Sequence, residues 1–291
     1  MGYDSIFRPD LFAGRTVIVT GGGSGIGRCT AHELGALGAQ VCLVGRRPEP
    51  LDATAAEIAE DGGTAEAHPC DIRDSEQVAS VVDAVVGRHG RVHGLVNNAG
   101  GQFSALLADM NQKGFETVVR TNLVGGFLMA REIYLRSMRE HGGAVVNITA
   151  DHARGIPLMG HSAAARAAMA NLTRTMAIEW AADGVRVNAV APGFVASSGY
   201  DTYGGEPFHE LLSGLPALTA ARRHGTESEV SAAIVFLLSD AAAYITGEEL
   251  IVAGGADLVT GLWPVRDHDR LPPYDGFHRV TPPTALGEND G

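Results

Sequence analysis

A chain of 291 residues with 45% hydrophobic and 19% charged residues has the apolar content for one large core covered on both faces, which excludes a largely disordered protein. With 22 basic against 34 acidic residues and a formal net charge of -12, nucleic acid is excluded as an expected partner, because neutralising phosphates takes a basic surplus. Cys29, Cys42 and Cys70 form neither a secreted disulfide framework nor a metal-ligating spacing. No basic-apolar leader or long apolar run appears either, so a soluble cytoplasmic protein with reduced thiols, no metal and no membrane contact is expected.

In chain order, residues 1–13 read as an N-terminal arm. From residue 15 short β-branched runs alternate with longer helical patterns, the signature of βαβ units on a parallel sheet. Strands are predicted at Thr16–Thr20, Gln40–Gly45, Thr64–Cys70, Gly94–Asn97, Ala144–Thr149, Val185–Ala191 and Glu249–Val252. Helices are predicted at about 26–37, 51–61, 75–89, 112–140, 163–182 and 227–239. The fold class is therefore α/β, a Rossmann-type doubly wound parallel sheet forming a single domain over 14–261. Residues 194–224 follow a strand end and read as a lid over the crevice where such sheets bind ligands. Residues 262–291, rich in proline, read as an extended tail packed on a neighbouring surface.

The first strand runs into Thr20-Gly21-Gly22-Gly23-Ser24-Gly25-Ile26-Gly27 and then a helix. Glycines allow the tight turn and close backbone approach, and the free N–H groups and dipole of the helix start attract a pyrophosphate. Gly21, Ser24, Gly25, Ile26 and Gly27 are thus cofactor-binding candidates. The second strand ends in Arg46-Arg47, where a carboxylate would serve a free ribose 2′-hydroxyl; two guanidiniums suit a 2′-phosphate, so NADP(H) is expected over NAD(H).

Together with Asp71-Ile72, Asn97-Asn98-Ala99-Gly100, Thr121-Asn122, Asn147-Ile148 and Pro192-Gly193-Phe194-Val195, this loop resembles the short-chain dehydrogenase/reductase superfamily over residues 14–257. The resemblance implies that Asp71 and Ile72 flank the adenine and that Asn98, Ala99 and Gly100 line the cofactor. It further implies that Pro192, Gly193, Val195 and Ser197 hold the nicotinamide amide.

Most members of that superfamily carry Tyr-x-x-x-Lys on the helix after the Asn-Ile strand. Here the run is His161-Ser162-Ala163-Ala164-Ala165-Arg166, which places Ser162 at the tyrosine and Arg166 at the lysine. The assisting serine falls at Thr149 or Ala150, and Asn122 is retained. The i,i+4 spacing keeps Ser162 and Arg166 on one helix face. A serine hydroxyl is far less acidic than a phenol and shorter in reach, and arginine does not release its proton to a relay. Ketone or alcohol chemistry, which needs that acid/base group, is poorly served.

Reduction of an α,β-unsaturated acyl thioester asks first for a hydrogen-bond donor at the developing oxyanion. Ser162 can be that donor, while Arg166 holds the nicotinamide ribose. The proton would come from water, His161, the Asp151-His152 pair, Tyr200 or Tyr203. Gly100-Gly101-Gln102-Phe103, Glu140-His141-Gly142-Gly143, His161 to Arg166 and Asp267-His268-Asp269 resemble the peroxisomal trans-2-enoyl-CoA reductases and, more distantly, the 2,4-dienoyl-CoA reductases. In the latter a strand-end tyrosine takes part; here that position is Asp151. Tyr3 to Pro9 and Ser197-Ser198-Gly199 resemble bacterial citronellol/citronellal dehydrogenases.

The leading expectation is an NADPH-dependent reductase of an enoyl-CoA-like substrate in lipid metabolism. Two alternatives stand beside it: a terpenoid alcohol/aldehyde dehydrogenase and a catalytically silent NADP(H)-binding protein. Apolar faces on the 112–140 and 163–182 helices, which the resemblance places at a subunit interface, imply a homotetramer.

Overall fold

Val17, Ile18 and Val19, and Val41 to Val44, are almost wholly buried, because these strands have helices on both faces and tolerate no polar alternation. The computed structural model describes residues 2–202, 211–259, 261 and 263–286. Its strands are β1 (Thr16–Thr20), β2 (Gln40–Gly45), β3 (Thr64–Pro69), β4 (Gly94–Asn97), β5 (Gly143–Ile148), β6 (Val185–Pro192) and β7 (Glu249–Val252). They form a single parallel sheet in the order β3-β2-β1-β4-β5-β6-β7.

The helices are α1 (Gly25–Ala36), α2 (Pro48–Glu60), α3 (Ser75–His89), α4 (residues 112–141), α5 (Gly160–Glu179) and α6 (Glu227–Leu238). One face of the sheet is covered by α1, α2 and α6 through Leu34, Ile58 and Ile234. The other is covered by α3, α4 and α5 through Val82, Ile133 and Met176. The chain is thus a doubly wound α/β domain, and order reverses at β1/β4, where the carboxyl ends of the strands open a crevice.

Three departures from the sequence expectation matter. First, α5 starts at Gly160, three residues early, so His161 and Ser162 lie in its first turn. Second, α2 begins at Pro48, whose missing N–H is harmless in a first helical turn. Third, α4 is not a uniform helix, because π-helical turns at Arg120–Gly125 and Tyr134–Met138 interrupt it. Hydrophobic periodicity does not encode such a bulge.

The tail residues that are described cross the outside of α6 and α1. Phe277, 2% exposed, stacks against Tyr3 and receives the Arg28 guanidinium 5.0 Å from its ring centre. Thr284 and the Ala285 amide both donate to Asp201, and Ala285 and Leu286 pack on Tyr200, Leu212 and Leu215. The tail therefore joins the arm to the segment after β6. Residues 203–210 of that segment, with Tyr203, and 287–291 of the tail lie outside the described residues.

Candidate active site

Thr20, at the end of β1, ties the glycine-rich loop to β4. Its hydroxyl accepts from the Asn98 and Ala99 amides at 3.0 and 2.9 Å, and Asn98 Nδ2 donates to the Thr20 carbonyl at 3.0 Å. Gly21 has φ +69°, and a Cβ on Gly27 would stand 2.4 Å from the Gly21 carbonyl oxygen. Both positions therefore admit only glycine. Ser24 caps α1 without a side-chain hydrogen bond and no acidic residue occupies the first turn, so the amides around Gly25 and Ile26 are available to an anion. This cradle fits a pyrophosphate.

A cleft of about 140 Å³ continues from it past Gly21, Ser24, Arg46 and Arg47 to Asp71, Ile72, Ala99 and Gly100. Arg46 and Arg47 are exposed at its rim. Asp71 is gripped by Arg73, Nε to Oδ1 at 2.9 Å and Nη2 to Oδ2 at 2.5 Å, and this grip, aided by the charge of Arg46, holds its carboxyl down at about 2. Arg73 is a third guanidinium in the cleft wall that the sequence reading missed, since an Arg two residues after an Asp carries no motif of its own.

Beyond β6 the chain stays close to the sheet. The Gly193 amide donates to Val252 at 3.0 Å, and a Cβ there would stand 2.7 Å from Ala253. Val195 is buried and bridges to Gly225. Pro192 ends β6 and Ser197 is half-buried. These residues follow the carboxyl end of β6, on the same edge of the sheet as the glycine-rich loop.

Asn122 lies inside the π-helical turn of α4, 2% exposed. The extra residue in that turn re-aims a side chain, a frequent use of π-bulges at functional sites. Its Oδ1 accepts from the Gly101 amide at 2.9 Å, and its Nδ2 donates to Ser162 Oγ at 3.3 Å. Ser162, 1% exposed, donates to Gln102 Oε1 at 2.6 Å. One helical turn on, Arg166 donates to the Ile148 carbonyl at the end of β5. Its Nη2 lies where a Cβ on Gly100 would come within 2.4 Å. Asn122, Ser162 and Arg166 therefore meet at the ends of β4 and β5. Gln102, which no motif in the sequence marks as a site residue, joins them.

The other candidates are placed differently. The Thr149 hydroxyl donates towards Glu249 Oε1 at 2.6 Å and the Val190 carbonyl at 3.1 Å, so it is committed to β6 and β7 rather than to Ser162. His152 Nε2 stands 3.4 Å from the same Glu249, with Asp151 half-buried beside it. His161 is fully buried, edge-on to Phe103 at 4.4 Å; its Nδ1 accepts from the Ser162 amide at 2.7 Å and its Nε2 has no hydrogen-bond partner. Burial holds this imidazole below its usual range, so it stays neutral at neutral pH. Tyr200 is buried against Leu212 and Leu215, its hydroxyl 3.4 Å from His224 Nδ1.

Comparison with known proteins gives a consistent grouping. The family model described as Enoyl-(Acyl carrier protein) reductase matches residues 21–257. The peroxisomal 2,4-dienoyl-CoA reductase of Danio rerio is 35% identical over 265 residues, covering 89% of this chain and 86% of that protein. Among solved structures, the citronellol catabolism dehydrogenase AtuB of Pseudomonas aeruginosa PAO1 is 57% identical with TM-score 0.77, covering 87% of this chain and 99% of that one. A chain described as an NAD(P)-dependent gluconate 5-dehydrogenase from Beutenbergia cavernae, with NADP bound at low occupancy, is 36% identical with TM-score 0.80, covering 86% and 100%.

Proposed function

Since the chain belongs to the short-chain dehydrogenase/reductase family and is an oxidoreductase, we propose that it reduces the double bond of an α,β-unsaturated acyl thioester with NADPH. The observation that carries this reading is the Asn122-Ser162-Gln102 cluster beside Arg166. It offers a hydroxyl donor and a fixed cation where the family's acid/base tyrosine and lysine usually stand. The relatives named for dienoyl-CoA reduction support the same class of substrate.

A bound nicotinamide would supply the hydride for the β-carbon, with negative charge developing on the thioester oxygen. Ser162 donates to that oxygen once the substrate displaces Gln102 from the hydroxyl. Asn122 Nδ2, donating to Ser162 Oγ, holds the hydroxyl in position and makes it a better donor. Arg166, anchored on Ile148 and lying over Gly100, faces the place for the nicotinamide ribose and keeps positive charge near the reacting centre. The α-carbon takes its proton from water or the Asp151-His152 pair. His161 is a poor source, being neutral and buried.

Gly21, Ser24, Gly25, Ile26 and Gly27 hold the pyrophosphate; Asp71 and Ile72 flank the adenine. Asn98, Ala99 and Gly100 would line the cofactor, and Pro192, Gly193, Val195 and Ser197 would take the carboxamide. Arg46 and Arg47 at the cleft rim would select the 2′-phosphate of NADPH. Phe115, Phe127 and Ile178, exposed apolar residues on α4 and α5, are to be covered in a homotetramer. No helix among the described residues is long and apolar enough to cross a membrane.

A second reading, oxidation of a citronellol-like alcohol, is favoured by the 57% identity to AtuB. Purified protein given NADPH and crotonyl-CoA, then NADP and citronellol, separates the two. Deuterium from labelled NADPH should appear at the β-carbon of the saturated thioester. Citronellol oxidation without enoyl reduction overturns the first reading, and tight NADPH binding with no turnover of either substrate points to a binding protein.

A further inference from the structure

At the sheet edge, β2 and β3 pair so that Cys42 lies directly across from Glu66. Strand alternation puts His68, two residues on, on the same face of β3 as Glu66. That face is covered by α3, whose last turn brings His89 onto it. The four side chains converge on one atom. Glu66 Oε1 is 2.9 Å from His68 Nε2, 2.8 Å from His89 Nε2 and 3.5 Å from Cys42 Sγ.

A carboxylate oxygen has about two lone-pair sites, yet three potential donors crowd this one. Cys42, Glu66 and His89 each offer a ligand atom within 4.8 Å of the others. In a tetrahedral site with bond lengths of about 2.0–2.3 Å, neighbouring ligand atoms stand roughly 3.3–3.8 Å apart. Within this group Glu66 Oε1 stands 2.8 Å from His89 Nε2 and 3.5 Å from Cys42 Sγ, close to that range, while His68 bonds only Oε1 and lies outside the group. Cys42 is buried, while Glu66, His68 and His89 are half-buried, so a cation has a route in. Arg88 Nη1 sits on the other carboxylate oxygen, Oε2, at 2.9 Å with its side chain 71% exposed, free to swing to solvent.

We propose that Cys42, Glu66 and His89 form a binding site for one divalent transition-metal ion, zinc by preference, with water in the fourth position. One thiolate, one imidazole and one carboxylate are a borderline-soft donor set, which suits zinc better than magnesium or calcium. Binding there would fasten the edge strand β3 to β2 and to the end of α3. No spacing rule in the sequence finds it, since Cys42 and His89 lie 24 and 23 residues from Glu66. The site is independent of the proposed reductase reaction, and neither stands or falls with the other.

Cobalt titration of the tag-free, chelator-stripped full chain tests it. One cobalt per chain should bind with a sulfur-to-metal charge-transfer band in the near ultraviolet, and zinc should abolish that band by displacement. Cys42→Ser should lose the band. His89→Ala, at a helix end and gentler on the core, should keep the thiolate but weaken cobalt binding more than about tenfold. Zinc should raise the melting temperature of the parent chain and not that of Glu66→Gln. A parent chain that takes up no cobalt with a sulfur band, or a His89→Ala chain that binds as tightly as the parent, overturns the site.

Discussion

The Ser162 hydroxyl hands its hydrogen to the Gln102 side-chain oxygen at 2.6 Å, while Asn122 donates to the same Ser162 oxygen at 3.3 Å. The donor is thus formed before any substrate arrives and is held by a side chain that a substrate oxygen can replace. Ser162→Ala should lower kcat by roughly 10²–10³-fold, the usual cost of one oxyanion donor, with NADPH affinity unchanged. If Ser162 only packs the start of α5, the same variant loses about 1 kcal/mol of stability and keeps its turnover. Melting temperature and turnover on one preparation decide between these.

Gly100 and Arg166 should prove coupled. A methyl at position 100 would stand 2.4 Å from Arg166 Nη2 and 3.1 Å from Asn122 Oδ1. Gly100→Ala should therefore displace the guanidinium and weaken NADPH binding, by less than Arg166→Ala does. Arg166→Ala should weaken cofactor binding as well, and Arg166→Lys should retain partial activity because charge survives while the planar fork is lost. Calorimetric NADPH titrations of the three variants check this; unchanged affinity in both alanine variants would remove Arg166 from the cofactor site.

Arg46 and Arg47 should carry the cofactor preference. The Arg46→Ala/Arg47→Ala double variant should raise the KM for NADPH more than about tenfold and leave that for NADH nearly unchanged, because only the former presents a 2′-phosphate. A parent enzyme that already prefers NADH by more than about tenfold would refute the assignment.

Glu227, 4% exposed at the start of α6, has its carboxyl raised to about 7 by burial, with the Arg28 charge opposing and that of Asp275 adding. The unfolded chain releases this proton near 4.5, so between there and about 7 the folded state holds a proton the unfolded state lacks. The contribution to stability is full below that window, falls as pH rises through it, and is lost above, on the order of 3 kcal/mol in all. Glu227→Gln should flatten this slope. Urea midpoints at about pH 5 and pH 8 measure it, and parallel slopes in parent and variant would show that Glu227 does not titrate there.

The strands and most helices were readable because local pattern and tertiary burial agree. Val17 to Val19 and Val41 to Val44 are apolar at every position, as only a strand covered on both faces requires. Gly21 and Gly27 were equally readable, since the turn that follows β1 admits no side chain at either place. Sequence pattern sets the start of α5 too late because Gly160 and His161 carry no helix-start signal, and α5 indeed has no side-chain cap.

By itself the sequence determined the doubly wound sheet, the glycine-rich turn after β1 and the placing of Ser162 and Arg166 on one face of α5, all of which follow from contiguous residues and fixed helical or strand periods. Only the tertiary structure decided which side chains share a hydrogen bond. It turned Thr149 towards Glu249, brought Gln102 onto Ser162 and Arg73 onto Asp71, and gathered Cys42, Glu66 and His89. Except for Arg73 and Asp71, these partners lie far apart along the chain. Their meeting depends on strand order, the register of β2 on β3 and the π-helical turn around Asn122, and none of these has a local sequence code.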